Sequence, residues 1–280
     1  MKNLLWLGDP KSFDATLVGG KAANLSRLAR LYHRVPDGFS LPVTVMDEAH
    51  PLDLRDEITR AISDLMACHS LPDFIAAVRS SAVDEDGATA SFAGQHETYL
   101  NIVGADAIIR AVTRCWESAR SKRALEYRRQ QGLSVERPQI AVLVQQLVSA
   151  DVSAVVFSAN PITGSRNEVM INASWGLGES IVGGTVTPDT FIVRKSDLAI
   201  TSRTIADKQR MTIPVSDGTR EVDVPRFLRA QSALNDEQAL EMAQLALTLE
   251  GMMERPVDVE CAYANGVLYL LQCRPITTLK

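Results

Sequence analysis

An α/β (α+β) protein is predicted by three observations. Apolar residues recur at helical spacing over residues 105–131, with Ile108, Val112, Cys115 and Ala119 on one stripe. From Ile140 to Ser174 the pattern changes to short apolar runs divided by turn residues, as in the strands of a sheet. Pro256 to Pro275 then reads as two strands joined at Asn265-Gly266, a pair that tolerates the positive φ of a tight hairpin. A chain of 280 residues suits one large domain or two lobes and can bury a substantial core.

Composition narrows the class. Hydrophobic residues at 46% and charged residues at 22% give an ordinary globular balance. A net charge of −5 argues against a general nucleic-acid binder. The apolar run after Met1-Lys2-Asn3 ends near Gly8, too short for a secretory leader, and no stretch reaches the length of a membrane span. Cys68, Cys115, Cys261 and Cys273 are scattered without a C-x-x-C, so neither a zinc site nor a disulfide framework is indicated. Cys261 and Cys273 sit on the hairpin, where a reduced pair is expected; the expected compartment is cytoplasmic.

In chain order, Leu4 to Leu7 reads as a short strand. Gly19-Gly20-Lys21 follows, at the start of a helix with Leu25, Leu28 and Tyr32 on one face. This is not a Walker A loop: Ala22 follows the lysine, and Ala15 stands where the first glycine belongs. A turn with a solvated lysine explains the same residues. Val35 to Phe39 is a turn into an extended piece, and Leu54 to Cys68 a helix with Ile58, Ile62 and Leu65 in register.

Ala77-Val78-Arg79 ends a strand. The run from Ser80 to Gln95 is rich in small and hydroxylated residues and could cover a polyphosphate with its backbone N–H groups. The acids at Asp84, Glu85 and Asp86 fit a plain solvent-exposed connection; the length of the run favours function. His96 to Val103 is a strand. Ala105 to Gln131 reads as one long helix, with Arg110, Arg114, Arg120, Lys122, Arg123, Arg128 and Arg129 on a solvated face.

Ile140 to Val148, Ser153 to Ser158 and Glu168 to Ser174 are strands, with a turn at Asn160 to Gly164. Trp175-Gly176-Leu177-Gly178-Glu179 breaks the pattern, followed by Gly183-Gly184 and Thr187 to Thr190. Asn235 with Gln238 makes a capping box, opening a helix striped by Leu240, Ala243, Leu247 and Met252.

The closing hairpin carries the chemistry. Alternation places Asp258 and Glu260 on one face of the first strand, and Gln272 and Arg274 on one face of the second. A turn at Asn265-Gly266 sets Glu260 opposite Leu271 or Gln272. Paired carboxylates make a hard oxygen site for Mg²⁺, and an arginine beside them suits phosphate. An ordinary edge hairpin with one wet face has the same alternation.

Several blocks together resemble the N-terminal nucleotide-binding domain of the phosphoenolpyruvate synthase, pyruvate phosphate dikinase and rifampin phosphotransferase family. They are Val18 to Lys21, Val78 to Ala82, Ser91 to Gln95 with Thr98 to Asn101, Phe157 to Gly164, Asn172 to Glu179, and Leu271 to Pro275, in the family's order. The resemblance implies an ATP-grasp fold whose lobes, 1–143 and 144–280, clamp ATP. By position, Lys21 and Arg79 contact phosphates, and the backbone of Gln145, Gln146, Leu147 and Val148 binds adenine. Glu179 lies near the nucleotide, Asp258 and Glu260 hold Mg²⁺, and Gln272 and Arg274 complete the phosphate site. Lys21, Arg79 and Arg274 are the expected catalytic cations.

Two departures stand out. The section between Val43 and Arg79 is shorter than in the family. Family members continue into a swivelling domain with a phosphorylated histidine in a Thr-Ser-His context, which none of His33, His50, His69 and His96 has. The expected function is an Mg-ATP-dependent phosphotransferase module that passes the β-phosphoryl group to a histidine on a separate domain or chain, leaving AMP and phosphate. A self-contained small-molecule kinase making ADP is one alternative. A non-catalytic nucleotide-binding regulator is the other.

Overall fold

The computed structural model describes residues 3–31, 33–48, 54–83, 97–130, 132, 134–136, 138–216, 218–277 and 279. Tyr32, His50, His96, the acids at 84–86 and the Ser91 to Gln95 block lie outside the described residues. Two units are distinguished, residues 1–147 with 216–218 and residues 148–215 with 219–280.

The first unit contains β1 (Leu5–Trp6), α1 (Ala15–Arg30), β2 (Gly38–Leu41), α2 (Val43–Glu48), α3 (Arg55–His69), β3 (Ile75–Ala82), β4 (Thr98–Val103), α4 (Ala105–Ser118), α5 (Lys122–Gln130) and β5 (Ile140–Gln146). Its strands form an antiparallel sheet in the order β1-β2-β5-β3-β4. Val78, Ala82, Ile140, Val142 and Val144 point to one face and build a core with Ile58, Ile62 and Leu65 of α3 and Ile108 and Val112 of α4. Helix α1 packs on the other face, beside Ser81.

The single helix expected over 105–131 is two helices. α4 stops at Ser118, whose hydroxyl donates to Cys115 O, and Ser121 Oγ accepts from Ala124 N to cap α5. The basic face is also less solvated than expected. Arg128 is buried with its Nε donating to Ser134 O at 2.6 Å, and the Arg114 guanidinium lies 4.1 Å from the centre of the Tyr99 ring.

The second unit contains β6 (Val152–Phe157), β7 (Glu168–Trp175), α6 (Glu179–Val182), β8 (Asp189–Arg194), β9 (Ala199–Thr204), β10 (Arg210–Pro214), β11 (Thr219–Asp223), α7 (Arg226–Arg229), α8 (Asp236–Met253), β12 (Val257–Ala264) and β13 (Val267–Pro275). The order β13-β12-β6-β7-β8-β9 is antiparallel throughout, and β10-β11 is a separate hairpin. Both halves of the Asn235–Gln238 capping box form at the start of α8.

Helix α8 covers the sheet face that carries Val259, Cys261, Tyr263 and Cys273. Tyr263 donates its hydroxyl to Glu241, and Cys273 Sγ lies 3.5 Å from Met253 Sδ. The buried stripe of α8 is Ala239, Met242, Ala243, Ala246 and Leu249, whereas Met252 is exposed and Leu240 and Leu247 lie at the margins. Ala239, Ala243 and Ala246 make up most of the inner face, because small side chains admit the sheet closely, while Leu240 and Leu247 flank it.

Beneath the same face Asp189 and Lys208 form an ion pair at 2.6 Å, both side chains fully buried. Asp189 also accepts from Ala206 N and Ala233 N, and Lys208 donates to Ala206 O as well. The pair fixes the segment between β9 and α8 against β8. Among the described residues, no helix is long and apolar enough to cross a membrane.

Candidate functional site

In the first unit, Lys21 and Arg79 are set by one interlock. Gly19 interrupts α1 with φ 75 and ψ 164, so Lys21 stands in the first turn of the continuing helix. That backbone runs so close to β3 that a Cβ on Gly19 would lie 2.1 Å from Ser81 O. Ala22 N donates to Ser81 Oγ at 3.2 Å, and Lys21 Nζ donates to Ser80 O at 3.0 Å. The lysine is therefore buried rather than solvated, contrary to the plain turn reading. Arg79, one residue before Ser80, is buried too, on β3 opposite Leu143 and Thr98. The two cations thus come from motifs 58 positions apart in sequence that meet through Ser80 and Ser81.

Gln145 and Gln146 end β5, and Leu147 and Val148 follow it. The Gln145 side chain is buried and donates to Pro36 O at 2.9 Å, so it serves the fold. Gln146 N donates to Asp37 O and Leu147 N to Ile75 O, each at 2.8 Å.

In the second unit, the hairpin β12-β13 brings four expected residues together. Asp258 stands opposite Arg274 and Glu260 opposite Gln272. These four occupy the face away from α8. Arg274 Nε and Nη2 both donate to Asp258 Oδ2, at 2.9 and 2.8 Å. Asp258 Oδ1 is buried and accepts no hydrogen bond among the described residues. Burial raises the Asp258 carboxyl above its ordinary range; Arg274 pulls it down in part, and the charge of Glu260 pushes it up.

Glu179 reaches the same face by another route. Ser153 of β6 lies on it, opposite Ala262 and Ser174, and its Oγ donates to Gly176 O at 2.7 Å. The Gly176 to Glu179 turn is held from beyond by β10: Leu177 N donates to Thr212 O at 2.9 Å, and a Cβ on Gly176 would lie 2.4 Å from that oxygen. Gly176 also has φ 77, so glycine is required there twice over. Glu179 opens α6, exposed, and accepts from Thr219 Oγ1 at 2.9 Å. Nothing in the local sequence announced β10-β11 as the support for this turn.

The donor set at Asp258 and Glu260 fits Mg²⁺. A buried carboxylate oxygen without a hydrogen bond is costly unless a cation faces it, and hard oxygen donors suit that ion. Among the described residues no three His, Cys, Asp or Glu side chains cluster as a metal site. Mg²⁺ commonly uses one or two carboxylates and takes its other oxygens from phosphate and water.

The profile of the pyruvate phosphate dikinase AMP/ATP-binding domain matches residues 43–280, which places Lys21 ahead of the matched range. A probable phosphoenolpyruvate synthase of Methanocaldococcus jannaschii is 36% identical, over 100% of this chain and 27% of its own length. The phosphoenolpyruvate synthase of Pyrococcus furiosus is 44% identical over 82% of this chain and 29% of its own. A rifampicin phosphotransferase of Streptomyces sviceus is 37% identical, with 95% and 35% covered. The chain therefore spans only 27% to 35% of the length of these relatives. Among solved structures, the ATP complex of D-alanine–D-alanine ligase from Bacillus anthracis gives a TM-score of 0.40 at 10% identity, covering 98% of this chain and 58% of the ligase. That score is too low to bear on the fold. The matched profile and the identity to these synthases show that the chain belongs to the pyruvate phosphate dikinase AMP/ATP-binding domain family.

Proposed function

We propose that the chain binds Mg-ATP and transfers the β-phosphoryl group of ATP to a histidine on a separate domain or chain. In the balanced reaction, ATP, histidine and water give phosphohistidine, AMP and phosphate; the β-phosphorus gains a bond to the imidazole nitrogen and loses its bond to the AMP oxygen, while the γ-phosphorus gains the water oxygen and loses its bond to the β,γ-bridging oxygen, which stays on the β-phosphorus. The observation that carries this reading is the buried Asp258 oxygen, without a hydrogen bond among the described residues, on the sheet face that also bears Glu260, Gln272 and Arg274.

Asp258 and Glu260 are the proposed ligands of Mg²⁺. When bound, Mg²⁺ neutralises charge on the phosphate oxygens and orients them. Arg274, fixed by its two bonds to Asp258, keeps that carboxylate aligned and offers its remaining N–H groups to phosphate. Gln272 donates an uncharged N–H beside Glu260. Lys21 and Arg79 are proposed phosphate contacts, and their burial strengthens any ion pair they make with phosphate. Gln146 and Leu147 have already committed their N–H groups, so adenine recognition in this stretch falls to its carbonyl groups and the Val148 N–H. Glu179 is proposed to lie near the nucleotide.

Phosphorus NMR of Mg-ATP incubated with the chain tests this, with and without a separately produced phosphohistidine domain of a phosphoenolpyruvate synthase. AMP and phosphate should form only when that domain is present. AMP from the chain alone would remove the need for a separate acceptor. ADP dependent on one added metabolite would install the small-molecule kinase instead, and ATP binding without turnover in either mixture would leave a regulator.

A further inference from the structure

The sheet face opposite α8 carries more than the four hairpin residues. Glu260 of β12 stands opposite Val155 of β6, Val155 opposite Asn172 of β7, and Asn172 opposite Thr190 of β8. Directly opposed residues in a sheet project to the same side. Glu260, Asn172 and Thr190 therefore form one row, with only the short Val155 side chain between the acid and the amide. Two strand spacings separate Glu260 from Asn172, roughly 10 Å.

The amide is held but not used up. Thr190 Oγ1 donates to Asn172 Oδ1 at 3.0 Å. Asn172 Nδ2, on a side chain only partly buried, meets no acceptor among the described residues. One step along β7 on the same face, Ser174 is fully buried and its Oγ has no partner among the described residues. The other face of β7 is apolar, with Val169, Ile171 and Ala173 fully buried. A polar strip thus runs along β7, parallel to the acids of β12, with open donor capacity and no fold-stabilising duty that accounts for it.

We infer that Asn172 is a further nucleotide-binding residue whose Nδ2 donates to an oxygen of the nucleotide held at Asp258 and Glu260, and that Thr190 is the positioning residue for that amide. The inference rests on the Mg-ATP reading above. A neutral amide donor suits an ester or phosphate oxygen and a ribose hydroxyl equally. Both belong to the nucleotide, and two ligands tell them apart.

The test is calorimetric titration of the full chain with the Mg²⁺ complex of a non-hydrolysable ATP analogue, and separately with AMP. Asn172→Ala should weaken the analogue about 10-fold, the size of one lost hydrogen bond to a charged group. Thr190→Val, which keeps the side-chain shape, should weaken it about 3-fold by freeing the amide, and Thr190→Ser should restore it. A loss shared by AMP places the contact at the ribose or α-phosphate; a loss confined to the analogue places it at the β- or γ-phosphate. Wild-type affinity in both Asn172→Ala and Thr190→Val overturns the inference while leaving Mg-ATP binding intact. Failure of the wild-type chain to bind the analogue overturns the underlying reading along with it. Unchanged melting temperatures show that the variants are folded.

Discussion

Arg274 donates twice to a single oxygen of Asp258, which leaves the other carboxylate oxygen buried with nothing to accept among the described residues. The pair is thus asymmetric in the way a cation site needs. Asp258→Asn keeps an acceptor for Arg274 and removes the charge. Turnover to AMP with the histidine domain should fall about 10²- to 10³-fold, as for loss of a preorganised electrostatic contact. The melting temperature should hold or rise, because burial already disfavours the charged form. Glu260→Gln should lose turnover similarly, and wild-type rates in both variants would remove the metal assignment.

Gly19 is constrained twice, by its positive φ and by Ser81 O at 2.1 Å from any Cβ. Gly19→Ala should cost on the order of 2–4 kcal/mol in urea denaturation. Gly184 shares the positive φ, at +67°, but has nothing within 4 Å, so Gly184→Ala should cost only about 1–2 kcal/mol. Equal costs would mean that the close approach of α1 to β3 contributes nothing.

Lys208→Met leaves Asp189 buried with its charge facing, among the described residues, the Ala206 and Ala233 N–H groups. A loss of about 3–5 kcal/mol is expected. Replacing Asp189 by Leu at the same time should not recover it, since both N–H groups then lose their acceptor. A double-mutant cycle by denaturant titration checks this; full recovery in the double variant would show that the ion pair, and not the backbone contacts, is what Asp189 supplies.

Burial, then the hydrogen bond to Glu241, raises the Tyr263 phenol above its ordinary range. A group raised in the folded state gives stability that is present below its unfolded value and lost as pH climbs through its folded one. Stability should therefore begin to fall from about pH 10. Tyr263→Phe should cost about 1 kcal/mol at neutral pH and flatten the alkaline part of the decline. Thermal melts across that range read both effects, and an unaltered alkaline slope would show that Tyr263 does not titrate with unfolding.

The hairpin was legible from sequence because alternation and an Asn-Gly turn are local signals, and they sufficed to place Asp258 with Glu260. The buried state of Lys21 was not, since it depends on Ser80, 59 residues away. The Asp189–Lys208 pair joins a strand to a later connecting segment with no spacing rule to reveal it. The break between α4 and α5 was hidden because no glycine or proline lies from Ala105 to Gln131. Strands β8 to β11 carried too few unbroken apolar runs to be read, yet β10 is what holds the Gly176 to Glu179 turn.

The bulge at Leu271 settles the parity of the hairpin. Counting back from the turn, Ala264 pairs with Val267 and Cys261 with Leu270, but Glu260 pairs with Gln272, so β13 carries one residue more than β12. Were Leu271 itself to pair with Glu260, Asp258 would meet Cys273, and Gln272 and Arg274 would turn towards α8. The bulge absorbs the extra residue and so puts an arginine, rather than a thiol, beside the acids. Deleting Leu271 should therefore leave Asp258 opposite Arg274 and Glu260 opposite Gln272, whereas a ladder straightened with all its residues in place would dismantle the site with every one of its side chains still encoded.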